Sequence, residues 1–308
     1  MSFTTTDLLS LVSNLASNPA LESRLTNANV LSFADLEIAL SITPSLVNSR
    51  SDFMLTYKEC TLSSAGYITI PPRAVNNTIK NIYYSDSAVT TPVELTFYDQ
   101  RDRGQFAYIN STAPAGYYIE GNRAVMLPLG VSSTGTFRVY FNMRPSRLVA
   151  TSSARQITAV DPVAGTIVIS SSWASVSTTT KVDLIANYNP YPVLGFDILP
   201  SNVSGNTIYF NLSDMPADLA VGDWISLAET SPVANIPEEM CYMLAGGVLT
   251  RVLESIGDMD GAQMSYNRYQ RDEKTATSIL APRSNTTPKV RVFNGLINRP
   301  SRARRHMP

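Results

Sequence analysis

The sequence predicts an α+β protein that is mainly β: an antiparallel β-sandwich or barrel plus a smaller repeated β domain, with N-terminal helices, a C-terminal αα-hairpin and an extended basic C-terminal arm. Three observations carry this prediction. Apolar residues recur at helical spacing near both ends of the chain. Between them, short alternating polar and apolar segments follow one another without an intervening helix, as in antiparallel sheets. The last 27 residues contain seven cations and no carboxylate.

The composition indicates a folded protein without disulfide support. The chain has 308 residues, enough for two domains, and 44% of them are hydrophobic. Its two cysteines are too few for a disulfide scaffold. No run of 18 apolar residues occurs, and no cation precedes the apolar residues of positions 1–15. We therefore expect neither a membrane span nor a secretory signal.

Residues 1–50 are expected to form the N-terminal helices, which either cap the β domain or pack against neighbours in an oligomer. Pro19 suits the first turn of a second short helix that reaches Leu25. Ser32 is a candidate N-cap for a third helix, which Pro44 is expected to end. The apolar stripe of the first helix consists of Leu8, Leu9, Val12, Leu15 and Ala16.

Residues 51–150 are expected to form the antiparallel β-sandwich or barrel. β-Branched and aromatic residues alternate with polar ones, and turn sequences that contain Gly66, Gly121 or Gly135 separate the segments. The predicted strands cover 53–57, 67–70, 79–84, 93–98, 105–109, 116–119, 124–128 and 136–143.

Residues 151–232 are expected to form the second, repeated β domain. Segment 165–169 (Gly-Thr-Ile-Val-Ile) resembles segment 206–210 (Asn-Thr-Ile-Tyr-Phe), and 182–185 precedes a similar segment, 223–226, by the same 41 positions. Two copies of one small β unit in a barrel-like domain produce such an offset. Chance similarity among β-rich segments is the alternative.

Residues 233–281 are expected to form the αα-hairpin. Pro237 suits a first helical turn, Gly257 suits a C-cap, and a second amphipathic pattern follows. Tyr266 and Tyr269 of the second helix are expected to pack in the core. The apolar stripe of the first helix consists of Met240, Met243, Leu244, Val248, Leu249, Val252, Leu253 and Ile256.

Residues 282–308 are expected to form the basic arm. Its seven cations leave 17 cations and 25 anions in the rest of the chain, so the arm carries +7 and the body −8. Residues 288–293 alternate polar and apolar as a strand does, and Asn294-Gly295 predicts a turn after them. Fully extended, the arm reaches on the order of 90 Å. An arm of this kind is expected to bind outside its own domain.

The arm supplies every predicted partner-binding residue. Val290 and Val292 are expected to add a strand to another sheet, while Phe293 and the apolar pair after the turn fill apolar pockets. The cations are expected to pair with carboxylates of the partner. The predicted set is Lys289, Val290, Arg291, Val292, Phe293, Leu296, Ile297, Arg299, Arg302, Arg304 and Arg305.

The residues predict no catalytic or metal site. The single histidine, His306, lies third from the end of the chain, where neither a catalytic base nor a zinc ligand is held rigidly. No glycine-rich phosphate-binding motif lies between a strand and a helix. Asp99, Asp102 and Glu120 lie in predicted loops or strand ends, where solvated turn residues are the simpler interpretation. We expect no enzyme, no cofactor and no metal.

Three stretches occur in an order that resembles the head-to-tail connector (adaptor or neck) proteins of tailed bacteriophages. The first runs from Gly116 to Val149 and ends in Arg144-Pro-Ser-Arg-Leu-Val149. The second covers 198–227 and contains Ser204-Gly-Asn-Thr-Ile208 and Leu219-Ala-Val-Gly-Asp-Trp224. The third contains Ser231-Pro232, Ile236-Pro-Glu-Glu239 and Leu253-Glu-Ser-Ile-Gly-Asp258.

The resemblance implies a structural virion protein, made in the cytoplasm of the host bacterium and located in the neck between head and tail. It implies a homo-oligomer, a ring of twelve copies below the dodecameric portal protein, through which DNA passes during ejection. Other neck, tail or tail-fibre proteins are the further partners that it implies. In this setting the arm is expected to dock on the portal or on a neighbouring subunit.

Three alternatives stay open. The arm can neutralise several phosphates, so a genome-contacting neck protein with transient contact to DNA is one, although Phe293 is the only aromatic residue among the cations. A tail-fibre or receptor-binding protein is the second, but neither trimeric repeats nor coiled-coil heptads occur. A glycan hydrolase is the third, and no pair of opposed carboxylates stands out for it.

Overall fold

The computed structural model describes residues 3–16, 26–49, 51–86, 91–101, 113–129 and 135–280. Over these residues the protein is α+β and mainly β, with predominantly antiparallel sheets and with helices before and after them. The predicted fold class is confirmed at this level. Three predicted features lie outside the described residues: the short helix that reaches Leu25, the strand 105–109 and the basic arm.

The helices gather at one core. They are α1 (Thr5–Ala16), α2 (Asn27–Glu37), α3 (Thr43–Ser49), α4 (Cys241–Ile256) and α5 (Met259–Leu280). Their largest shared core includes Leu8, Ala34, Ile42, Leu46, Leu244 and Val248, all at most 1% exposed. The Thr5 N–H at the start of α1 donates a hydrogen bond to the Pro232 carbonyl (2.8 Å), so the start of α1 is joined to the segment that follows β17.

The predicted boundaries of the third N-terminal helix are wrong at both ends. α2 begins at Asn27, because the Thr26 side chain accepts a hydrogen bond from the Asn29 N–H and acts as the N-cap in place of Ser32. Pro44 does not end the helical run. A π-helical turn over Ile38–Ile42 precedes it, and this wider turn accommodates a residue that has no N–H to donate.

The C-terminal helices follow the prediction more closely. α4 ends at Ile256, and Gly257 caps it with a φ of +85°, a left-handed conformation that glycine adopts without steric cost. Tyr269 of α5 is buried as expected. Tyr266 is not, because its side chain is 44% exposed.

Strands β1 to β8 form two four-stranded sheets around one apolar core. The first sheet has the order β1-β8-β3-β4 and the second the order β2-β7-β6-β5, with β5 and β6 parallel and the other pairs antiparallel. The strands are β1 (Leu55–Thr61), β2 (Tyr67–Thr69), β3 (Asn81–Ser85), β4 (Val93–Glu94), β5 (Thr96–Phe97), β6 (Gly116–Glu120), β7 (Arg123–Leu127) and β8 (Thr136–Asn142).

Two of the predicted strands in this region differ from the observed ones. The segment 93–98 divides at Leu95, so that β4 joins the first sheet and β5 the second. Leu95 itself is 4% exposed and donates its N–H to the Ile82 carbonyl (2.8 Å). The segment 53–57 becomes a strand only from Leu55, because a 3₁₀ turn covers Ser51–Met54.

Seven of the remaining nine strands form an antiparallel sheet of order β13-β12-β16-β10-β11-β15-β14, with its own apolar core. Three residues separate β13 from β14, although these strands stand at opposite ends of that order. A short parallel pair, β9 with β17, lies outside this sheet. The strands are β9 (Arg147–Leu148), β10 (Arg155–Asp161), β11 (Thr166–Ile169), β12 (Val182–Ile185), β13 (Val193–Ile198), β14 (Asn202–Ser204), β15 (Thr207–Tyr209), β16 (Trp224–Leu227) and β17 (Thr230–Ser231).

Candidate interaction surface

The predicted partner-binding residues of the arm, from Lys289 to Arg305, all lie outside the described residues. The described chain ends at Leu280, whose side chain is buried in the helical core. A binding surface on the described part of the protein has to be built from other residues, and the first sheet offers one.

β1 is the terminal strand of the first sheet, and its outer edge has no partner strand among the described residues. The Met143 N–H donates to the Met54 carbonyl (2.7 Å), and this bond shows which residue pairs of the β1–β8 ladder are hydrogen-bonded. Since hydrogen-bonded pairs alternate in an antiparallel ladder, Thr56, Lys58 and Cys60 bond to β8. The backbone groups of the other four residues point away from the sheet: Leu55, Tyr57, Glu59 and Thr61.

The side chains of β1 divide between the two faces of the sheet. Thr56, Lys58 and Cys60 are half-buried on the inner face, and burial raises the pKa of the Cys60 thiol. Leu55, Tyr57, Glu59 and Thr61 are exposed on the outer face. An edge strand of seven residues with its own exposed face is a template for strand addition.

The outer face of the first sheet carries a row of tyrosines. The ring centroids of Tyr57 and Tyr140 lie 5.4 Å apart, and Tyr83 meets Tyr140 edge-on at 5.3 Å. The Arg138 guanidinium lies 5.3 Å from the Tyr57 ring and donates to Glu59 (Nε to Oε1, 2.8 Å), a hydrogen bond that raises the pKa of Arg138. Tyr57 remains 46% exposed, so a partner can contact this row.

A cavity of about 490 Å³ lies beside the edge, between the middle of β1 and β13. Its lining includes three carboxylates, Glu59, Asp197 and Asp214, and one cation, Lys58. Its apolar lining comes mainly from β13, and includes Leu194, Phe196 and Ile198. The cavity therefore combines an apolar wall with an excess of negative charge.

A second cavity, of about 580 Å³, lies at the C-terminal end of β1. It is lined by Ile68, Ile70 and the two prolines that follow, from the neighbouring second sheet. Lys58 and Glu59 line both cavities, so the two spaces lie side by side along the edge of β1. We call them together the β1 groove.

Side chains rather than backbone pairing hold β13 beside β1. The Phe196 ring of β13 lies between two cations, with the Lys58 Nζ and the guanidinium carbon of Arg73 each 5.7 Å from its centroid. Phe141 of β8 meets the same ring edge-on at 6.1 Å. These contacts join the first sheet to the seven-stranded sheet.

A buried ion pair links the segment between β2 and β3 to β12 of the seven-stranded sheet. Arg73 Nη2 lies 2.7 Å from Asp183 Oδ2, and the two side chains are 3% and 0% exposed. Asp183 also accepts the N–H groups of Asp197 (3.0 Å) and Glu229 (2.9 Å), and Arg73 Nη2 donates to Ser146 Oγ (3.1 Å). Both carboxylate oxygens of Asp183 are therefore hydrogen-bonded, whereas Arg73 Nη1 is buried without a hydrogen-bond partner in the described chain and lies 4.0 Å from Asp197 Oδ1.

A second buried carboxylate ties the N-terminal helices to α4. Arg251 donates to Glu37 through Nε and Nη2, both at 2.9 Å, and Glu37 is 3% exposed. Gly247 of α4 leaves room for Glu37, because a Cβ on Gly247 would lie 2.6 Å from the Glu37 carboxyl carbon. Burial raises the pKa of the nearby Tyr269 hydroxyl.

Of the carboxylates that the sequence left open for chemistry, Asp99 is an exposed loop residue and Glu120 is exposed at the end of β6. Asp99 accepts the Arg101 N–H (2.9 Å), and Glu120 lies 3.5 Å from the Gln100 side-chain amide. Asp102 lies outside the described residues. Among the residues that the structure describes, no group of three or more His, Cys, Asp or Glu side chains is arranged so that it could hold a metal ion.

One helical run meets the length and composition criteria of a membrane span. It covers Asn27–Ser49, that is α2, the π turn and α3. Ala34, Ile38, Ile42 and Leu46 on this run are buried in the core that it shares with α4. Of the window that meets the criteria, 39% is buried in the structure, and Leu36 and Leu40 are exposed.

No local pattern in the sequence marks β1 as an edge strand. The alternation of Leu55, Tyr57 and Glu59 with Thr56 and Lys58 indicates a strand with two unlike faces. Its position at the edge depends on the pairing of β8 with β3, which no local pattern determines. β13, the other wall of the groove, was not among the strands predicted by name.

Comparison with protein-family models and with curated proteins gives no match to this chain. Function is therefore inferred from the residues and from the β1 groove.

Proposed function

We propose that this protein is a structural subunit of a bacteriophage neck, a ring that joins the portal of the DNA-filled head to the tail and lets the genome pass. The observation that carries the proposal is the division of charge, −8 on residues 1–281 and +7 on the arm, in a chain with the connector-like order of segments. A ring subunit must bind like subunits on two sides and unlike proteins above and below, and it needs no catalytic residues.

The arm is the docking device in this proposal. Residues 288–293 add as a strand to the portal or to a neighbouring subunit, and Leu296 and Ile297 supply apolar anchors. Exposed ion pairs contribute only about 0–1 kcal/mol each, so the apolar contacts dominate affinity while the arginines set orientation and rate. Twelve tethered arms bind with more avidity than one.

The finer architecture belongs to the same proposal. We infer that residues 51–150 form one antiparallel sandwich or barrel, residues 151–232 a repeated β domain, and residues 233–281 an αα-hairpin behind the N-terminal helices of residues 1–50. Only Gly257 and Asp258 separate α4 from α5, which supports the hairpin.

Strand register supports the repeat. Ile167 pairs with Ile208 between β11 and β15, and Leu184 pairs with Ile225 between β12 and β16. Both pairs join residues 41 positions apart, the offset seen in the sequence. Two copies related by a two-fold axis place equivalent residues opposite each other in this way.

Two measurements test the proposal. Electron microscopy of the purified full-length chain, alone and with its cognate portal, is expected to show twelve-fold rings; trimers would favour a tail-fibre protein instead. Deletion of residues 288–308 is expected to leave a folded protein that no longer joins DNA-filled heads. Normal attachment of the truncated protein would contradict the role of the arm.

The cations of the arm also favour a second candidate, contact with the genome. Neutralisation of phosphates by several cations makes binding fall steeply with salt. A salt titration of DNA binding by the full-length chain distinguishes the two candidates. If the arm docks on protein, the chain binds DNA weakly, and a variant with neutral residues in place of the arm cations binds DNA equally weakly. Tight binding with a steep salt slope would favour the genome-contacting alternative.

A further inference from the structure

We propose that the open edge of β1 is the acceptor for the basic arm of a second copy of this chain, in which residues 288–293 of one copy add as a strand beside β1 of its neighbour. This inference rests on the proposed function, because it assigns the receiving site of the same arm.

The backbone of β1 offers the hydrogen-bonding groups that an added strand needs. Four of its seven residues direct their N–H and C=O groups away from β8, and none of these groups has a partner in the described chain. The donor segment, Pro-Lys-Val-Arg-Val-Phe, has six residues and a single proline at its first position. A proline there removes no hydrogen bond from the middle of the new ladder.

The side chains of the two segments match face by face. Alternate residues of an added strand lie on opposite faces, so Lys289 and Arg291 lie together with Phe293 on one face and the two valines on the other. With the cations on the outer face, they meet Tyr57 and Glu59, where a cation contacts both an aromatic ring and a carboxylate.

The opposite face of the added strand then points into the β1 groove. Val290 and Val292 meet its apolar walls, which include Phe196 and Ile70. The groove also carries the carboxylates of Asp197 and Asp214, whose negative charge favours an occupant with a net positive charge. Apolar burial and charge complementarity therefore favour the same occupant.

The length of the arm allows the occupant to come from another copy. Seven residues separate Leu280, the last described residue, from Pro288, and fully extended they span on the order of 25 Å. An arm that leaves its own body and enters the next one makes a heterologous contact, and repeated heterologous contacts close into rings. An arm that folded onto its own β1 would leave the edge filled and build no ring.

Disulfide trapping tests this inference on the full chain. Glu59→Cys and Arg291→Cys place thiols at the centres of the acceptor and the donor, in a Cys60→Ser background that removes the only other half-exposed thiol. Oxidation of the double variant is expected to give a ladder of disulfide-linked trimers and larger species on a non-reducing gel. Each single variant carries one introduced thiol and can give dimers at most. A link within one chain, or no species larger than a dimer, would overturn the inference.

A backbone variant tests the strand addition itself. Glu59→Pro removes an N–H that points away from β8, so the first sheet keeps its ladder. Glu59→Ala is the matched control, since it removes the same carboxylate and keeps the N–H. Self-association measured by sedimentation is expected to weaken at least tenfold in the proline variant and less than threefold in the alanine variant, with unchanged circular dichroism. Equal association of both variants would contradict strand addition at β1.

The experiments separate failure of the acceptor assignment from failure of the proposed function. If trapping and association both give negative results while deletion of 288–308 still prevents attachment to heads, the arm docks on another protein and only the acceptor assignment is wrong. If the deleted protein attaches normally, the proposed function itself is wrong.

Discussion

Replacement of Arg73 by methionine removes the cation of the buried ion pair that links the segment between β2 and β3 to the seven-stranded sheet. Methionine keeps most of the apolar length of the side chain, so the variant tests charge rather than volume. Asp183 then keeps the N–H groups of Asp197 and Glu229 but loses the guanidinium at 2.7 Å.

The expected cost is about 3–5 kcal/mol of unfolding free energy at pH 7, because an unpaired carboxylate remains at 0% exposure. Proton uptake limits this cost. Burial already raises the pKa of Asp183, and Arg73 acts against that effect. Without Arg73 the pKa of the Asp183 carboxyl rises further. Protonation at pH 7 of a carboxyl whose unperturbed pKa is near 4 costs about 4 kcal/mol, at roughly 1.4 kcal/mol per pH unit.

The sign of the pH dependence follows from the same raised pKa. A carboxyl whose folded-state pKa lies above its unfolded value favours folding below the unfolded pKa, and that contribution is lost as the pH rises through the folded pKa. The deficit of Arg73→Met relative to the parent protein is therefore expected to shrink as the pH falls from 7 to 5.

Urea unfolding followed by tryptophan fluorescence measures both effects, since Trp173 and Trp224 lie in the region of the seven-stranded sheet. Arg138→Met is the matched control: its ion pair with Glu59 has the same short distance, 2.8 Å, but side chains 42% and 50% exposed. Loss of such an exposed pair is expected to cost about 0–1 kcal/mol without the pH signature. Equal costs for the two variants at pH 7, or a deficit that does not change with pH, would refute the reasoning from burial.

Three further predictions concern α4. Gly247→Ala is expected to destabilise the protein by about 1–3 kcal/mol, because the new Cβ would lie 2.6 Å from the Glu37 carboxyl carbon. A Cβ at Gly246 would have its nearest neighbour at 3.9 Å, so Gly246→Ala is expected to stabilise the protein by up to about 1 kcal/mol. Thermal unfolding of the two variants measures both changes. Arg251→Met is expected to cost about 2 kcal/mol, less than Arg73→Met, since Arg251 is 30% exposed; urea unfolding checks this, and an equal cost would contradict it. Burial raises the pKa of Cys241 from 9.0 to about 12, so the neutral thiol favours the folded state below pH 9 and this contribution is lost as the pH rises toward 12. Alkylation of the native protein at pH 8 is therefore expected to leave Cys241 unmodified. Rapid modification would contradict its burial.

The helices that could be predicted best are those whose ends depend on local chemistry. Gly257 ends α4 because a left-handed residue closes the last turn, and this signal is local. The predicted end of the helix at Pro44 is wrong for the opposite reason, because its signal is not local. The π turn before it is stabilised by the burial of Ile38 and Ile42 in the helical core, and a packing effect of this kind cannot be predicted from a window of sequence.

The candidate site could be predicted only in part, because an edge is a property of the whole sheet. The proposed donor segment, residues 288–293, stands out in the sequence because of its alternation and its charge. The acceptor does not, since β1 has the same alternating pattern as β8, which is paired on both sides. Arg73 and Asp183 are 110 positions apart, and neither is marked in the sequence as one half of a buried pair.

The buried ion pair and the open edge belong to one arrangement. A buried pair of charges is seldom more stabilising than apolar residues of the same volume, so its presence here points to geometry rather than to stability. Arg73 binds Asp183 on β12, the strand next to β13, and flanks Phe196 on β13. These contacts hold β13 beside β1 at a distance set by side chains. Direct backbone pairing of β1 with β13 would fill the groove and consume the N–H groups that an incoming strand needs. These contacts therefore leave the edge of β1 open to an added strand.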